Sequence, residues 1–123
     1  MKKVAVIHTT PVTIPTLKKL LTENRRPDEE EIEVINFLDD SMLPEINRLG
    51  HPSEGVKYRL NTLLLLCQTT GADAVLCACS SIGGLVEEGS SLVGIPVFRI
   101  DEPWRALLPV IPASGWRRPS IQR

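Results

Sequence analysis

The chain of 123 residues balances 14 Lys+Arg against 15 Asp+Glu, a formal net charge of −1, which argues against a nucleic acid or an anionic membrane surface as partner. No run approaches the roughly 18 apolar residues that span a bilayer. The opening MKKVAVIHTT turns polar too soon for a secretory signal, so a cytoplasmic protein is expected.

In chain order, Val4 to Ile7 reads as a first strand that runs into the polar loop His8-Thr9-Thr10-Pro11. Pro15 suits the first turn of a helix, with Thr13 as its cap and Leu17, Leu20 and Leu21 as its apolar stripe. Ile32 to Phe37 predicts a second strand ending in Asp39-Asp40-Ser41, and Met42, Leu43 and Ile46 a short helix. After a turn-rich loop from Gly50 to Gly55, Val56, Leu60, Leu63, Leu64 and Cys67 recur at the spacing of a helix packed on one face. Gly71 stops that helix. Ala74 to Ala78 predicts a third strand running into Cys79-Ser80-Ser81, Leu85 to Leu92 a helix, and Pro96 to Ile100 a fourth strand closing on Asp101-Glu102.

This alternation predicts the α/β class: a four-stranded, mostly parallel sheet with helices on both faces, a Rossmann-like lobe. Right-handed crossovers bring the four strand ends, and the polar clusters that follow them, to one edge. The lobe is expected over residues 1–103, where 10 basic residues face 15 acidic ones, a balance of −5. Residues 104–123 hold four arginines, three prolines, both tryptophans and no acid. They read as a separate irregular tail.

The three cysteines, Cys67, Cys77 and Cys79, are odd in number and crowded together, which argues against a disulfide framework. Cys-Ala-Cys with distant His8 and His51 is too sparse for a zinc site, and no metal or cofactor is expected. Cys67 reads as helix core and Cys77 as a small hydrophobe inside the strand. Cys79 differs, because it ends the strand before a helix whose positive end favours a thiolate. Such a thiolate can remove a proton beside a carboxylate or carbonyl. Backbone N–H groups of the turn, the hydroxyls of Ser80 and Ser81, and those of Thr9 and Thr10 are candidate anion donors, and Gly83-Gly84 allow close backbone approach. His8 reads equally as a base, a donor to substrate, or a strand-end histidine bonded within the fold.

IHTTP, NFLDDSMLPEI, GADAVLCACSS and IPVFRIDEP, in this order and spacing, resemble the amino-terminal half of the aspartate/glutamate/hydantoin racemase superfamily. The resemblance implies a cofactor-independent isomerase that uses one cysteine from each of two α/β lobes on opposite faces of the substrate carbon. It makes Cys79 the catalytic cysteine of the first lobe. Ser80 and Ser81 fall where the family often has Asn-Thr contacting the substrate. His8 and Thr9 fall where glutamate racemases have Asp-Ser, a departure that shifts the expected partner from a free amino acid toward another small carboxylate or a hydantoin. The substrate-binding set is then His8, Thr9, Thr10, Ser41, Ser80, Ser81 and Glu102.

Residues 104–123 resemble nothing in that family, and the expectation is a frameshifted, prematurely ended racemase-like chain. It would lack the second lobe and its cysteine, and would be inactive alone. Apolar surface left by a missing lobe would invite homo-oligomers. Two other classes stand beside this reading: a non-enzymatic domain binding a small anion at the same edge, and a thiol redox protein using Cys77 and Cys79.

Overall fold

The computed structural model describes residues 1–23 and 27–104. Four strands, β1 (Lys2–His8), β2 (Ile32–Leu38), β3 (Ala74–Cys77) and β4 (Val97–Arg99), form one sheet in the order β2-β1-β3-β4. Every pairing is parallel. The helices are α1 (Thr13–Thr22), α2 (Met42–Leu49), α3 (Glu54–Thr69) and α4 (Gly83–Gly89), with 3-10 turns at Ser80–Ile82 and Ser90–Leu92.

Strand order explains the layers. The chain leaves β1 in one direction to make β2, then returns past β1 to make β3 and β4 on the other side. Right-handed crossovers then put α1 on one face and the later helices on the opposite face. Side chains alternate accordingly. Val4, Val6, Ala74, Leu76 and Phe98 pack with Leu17 and Leu21 of α1, whereas Ala5, Ile7, Val75 and Cys77 pack with Met42, Val56, Leu60, Leu64, Cys67 and Val86. Because β1 is covered on both faces, Val4 to Ile7 are all fully buried, which is why the run is uninterruptedly apolar.

Local chemistry departs from the sequence expectation at four places. Thr13 does not cap α1: Val12 holds the cap position without a side-chain bond, and Thr13 turns inward toward His8 instead. Ser53, within the stretch expected as a loop, caps α3, its hydroxyl oxygen accepting from the Val56 N–H at 3.1 Å. The helical path after Cys79 starts at Ser80 rather than Leu85, so Gly83 and Gly84 lie within it. Trp104 is buried against the α1-side cluster, so the first residue assigned to the tail belongs to the packed lobe. The other residues of that tail, 105–123, lie outside the described residues. Among the described residues no helix is long and apolar enough to cross a membrane.

Two glycines have conformational reasons. Gly71 follows α3 at φ +84°, the left-handed geometry that ends a helix at little cost for glycine. Gly89 is where α4 meets α3: a Cβ there would lie 2.6 Å from Asn61 Oδ1 and 2.8 Å from Leu64 Cδ1. Asn61 can turn aside, but Leu64 is locked in the core. Gly89→Ala is therefore expected to destabilise by about 1–3 kcal/mol, despite alanine's better helix propensity. Equal urea midpoints for the variant and wild type would refute the close approach.

Candidate functional site

An all-parallel sheet puts all strand carboxyl ends at one edge, and here β1 and β3 are the neighbours between which the winding reverses, the place where open α/β sheets hold ligands. The edge is tied by backbone bonds beyond the strands themselves: the His8 carbonyl accepts from Asp39 N–H at 3.0 Å, the Ile7 carbonyl from Ala78 N–H at 2.9 Å, and the Cys77 carbonyl from Ile100 N–H at 3.0 Å. Cys79 continues the extended path with φ −148° and ψ 119° before the chain turns at Ser80.

The three thiols separate by environment. Cys67 and Cys77 are fully buried, and desolvation pushes each thiol up to about 12, helped in Cys77 by the neighbouring Cys67 and Cys79. Neither presents a thiolate at neutral pH. Cys79 is half-buried: it packs beside Cys77 against the α3/α4-side core and keeps some exposure. Ser80 and Ser81 are exposed. The dipole expected from a following helix is weak here, since one 3-10 turn and the seven-residue α4 stand behind Cys79. With Cys77 protonated and enclosed, a Cys77–Cys79 redox pair lacks a second accessible sulfur.

Thr9 is buried, and its hydroxyl has no hydrogen-bond partner among the described residues. Ile7 and Cys77 are the last register partners of β1 and β3, and Thr9 and Cys79 each lie two residues beyond them at the same edge. Cys79 follows Cys77 toward the α3/α4 face. An orphaned buried hydroxyl costs roughly 1–3 kcal/mol, and a polar ligand beside Cys79 would recover it.

The other predicted residues do other work. His8 is fully buried, with Nδ1 2.6 Å from Thr13 Oγ1 and Nε2 2.7 Å from Asn36 Oδ1. Those partners place its ring on the α1 side, away from Cys79. Burial lowers its pKa, and the Asn36 bond opposes that shift only in part, so the neutral ring is favoured. Of the three sequence readings, the geometry supports the strand-end histidine bonded within the fold. Thr10 shapes the same loop: its hydroxyl oxygen accepts from Val12 N–H at 3.4 Å and its carbonyl lies 3.2 Å from the Thr13 hydroxyl.

Ser41 is exposed beyond β2, with its N–H and hydroxyl both directed at Asp39 Oδ1, at 2.9 and 2.5 Å. β1 stands between β2 and β3, so the structure does not bring Ser41 to Cys79. Glu102 Oε1 accepts from the Arg99 N–H at 2.7 Å and closes the turn after β4; a substrate would have to displace that bond. Gly83 is the glycine of close approach, but to the chain itself: a Cβ would sit 3.5 Å from Arg99 Cδ.

Sequence reasoning missed Arg99 and Asn36. Arg99 ends β4 on the same edge, its Nη1 2.7 Å from Glu87 Oε1 and its Nε 3.1 Å from Asp101 Oδ1. The guanidinium is thus neutralised by carboxylates rather than open to an anion. An arginine just before Asp-Glu was the available signal. Nothing in the sequence marks Asn36 as the partner of His8. Among the described residues, no three His, Cys, Asp or Glu side chains converge as a metal set would require.

No protein family matches the chain, and no curated protein or solved structure matches it.

Proposed function

We propose that this protein is an isomerase of the aspartate/glutamate/hydantoin racemase kind, in which Cys79 moves a proton at the carbon next to a carboxylate or carbonyl of a small molecule. The observation that carries the reading is that the partly exposed Cys79 and Thr9, whose buried hydroxyl finds no partner among the described residues, each lie two residues beyond the last register pair at the β1/β3 switch. The Cys79 thiolate would take the proton. Thr9, with Ser80, Ser81 and the N–H groups of their turn, would hold the negative charge that develops on the substrate oxygen. His8 positions the Thr9-Thr10 loop through Thr13 and Asn36. A reduced, working thiol fits a cytoplasmic protein.

Exchange of the α-proton into deuterated buffer tests the reading on a panel of small carboxylates and hydantoins. Inversion would need the second cysteine that the resemblance implies, but exchange on one face needs Cys79 alone, so exchange without inversion is expected with the wild-type chain and is expected to fall at least about 100-fold in Cys79→Ala, while Cys67→Ala retains it. Exchange that survives in Cys79→Ala, or none with any substrate while ligands still raise the melting temperature, would replace the isomerase by a binding domain for small anions.

A further inference from the structure

We infer that the outer face of α3 is a self-association surface whose occupant is a second copy of this chain. Tyr58, Thr62, Leu65, Leu66 and Thr69 are all exposed and recur at helical spacing along the side of α3 that faces away from the sheet. Tyr58 is 74% exposed and Leu65 and Leu66 are each 45% exposed. With the 48% exposed Leu92 on the adjoining 3-10 turn, they leave about 400 Å² of apolar surface, as large as the greatest patch on an ordinary monomer. A helix apolar on its inner and outer sides alike has the character of a buried element.

Charge selects the occupant. From Leu60 to Ala72 there is no Asp, Glu, Lys or Arg, in a chain in which these make up 24% of residues. The Lys57–Glu88 ion pair, at 3.0 Å, lies at the rim. A two-fold contact sets a surface against itself, so any charge near the axis would meet its own kind. The stripe residues carry none, and the nearest, Arg59, is tied to Asp39 and Glu45.

An antiparallel two-fold with Thr62 on the axis lays Tyr58 on Leu66 of the second copy and Thr69 on Gly55, where the missing side chain allows close approach. Two such faces with their rims remove about 1,000 Å², the lower end of specific interfaces, so the dimer is weak and concentration-dependent. The stripe does not include the inner side of α3, whose core cluster Cys79 joins.

Sedimentation of the full chain from about 1 µM to about 1 mM tests this. The mass is expected to rise from the 13.6 kDa monomer to twice that value. Thr62→Glu, on the axis where it meets its own copy, and Leu66→Glu, each at an exposed position, are expected to raise the dissociation constant more than about 10-fold while leaving the melting temperature of dilute protein unchanged. Leu38→Glu, at an exposed apolar residue elsewhere, is expected to dimerise normally. A monomer at every concentration overturns the inference. So does a dimer indifferent to both α3 variants, or one equally sensitive to Leu38→Glu.

Discussion

Raising the pH from 8 to 10.5 is expected to remove about 4 kcal/mol of folding stability, through Cys67 and Cys77 alone. Both thiols carry an ordinary value of 9.0 and are pushed up to about 12 in the fold, chiefly by burial. Between those limits the unfolded chain releases two protons that the folded chain keeps. Alkali therefore favours unfolding, by about 1.4 kcal/mol per pH unit for each thiol. Below pH 9 the two states hold the same protons and the effect vanishes. A chain of this length has a total stability of roughly 6–18 kcal/mol at 0.05–0.15 kcal/mol per residue, so the loss is a large share of it.

Urea titrations under reducing conditions at several pH values measure this directly. Cys67→Ala should begin less stable, because of the cavity it leaves, yet lose about half of the alkaline slope. Contributions common to wild type and variant cancel in the comparison. Parallel curves above pH 9 for wild type, Cys67→Ala and Cys77→Ala would show that these thiols are not enclosed as described.

The two halves of the cysteine problem show what can be read from a sequence. Cys67 at the end of a helical stripe and Cys77 inside an apolar strand follow from periodicity, and both are core residues. Likewise the continuous run Val4 to Ile7, the stripe from Val56 to Cys67 and the turn at Gly71 predict the central strand, the long crossover helix and its end. Parallel order then follows from alternation, and with it the convergence of four polar clusters on one edge.

What a one-dimensional pattern does not contain is which polar residue is already satisfied. His8, Thr9 and Thr10 look alike as a loop, yet His8 is sandwiched between Thr13 and Asn36 while the Thr9 hydroxyl has no partner among the described residues. The difference depends on side-chain direction at a strand end and on a register partner thirty residues away, Val6 with Asn36. Arg99 and Glu102 were similarly split between strand and loop, when the arginine is clasped by carboxylates that follow it and by Glu87.

Trp104 is the sharpest case of composition misleading position, and the largest single truncation effect is expected there. Grouped by composition it belongs with the arginine- and proline-rich residues that follow, but it is only 7% exposed and belongs to the core cluster that holds Val4, Val6, Leu17, Leu21 and Phe98. The backbone is held as well, the Trp104 N–H donating to the Glu102 carbonyl at 2.8 Å. α1 lies nearest β2, at the opposite edge of the sheet from β4, and the indole shares its core cluster with Phe98 of β4. Trp104→Ala is expected to destabilise by about 3–5 kcal/mol, the range for a buried large aromatic whose cavity cannot collapse. Tyr58→Ala, at an exposed aromatic, should change stability by less than about 0.5 kcal/mol in dilute protein. Chemical denaturation of both variants decides the matter. If Trp104→Ala unfolds at the same urea concentration as Tyr58→Ala, the indole is not part of the lobe, and the lobe ends where composition alone would end it.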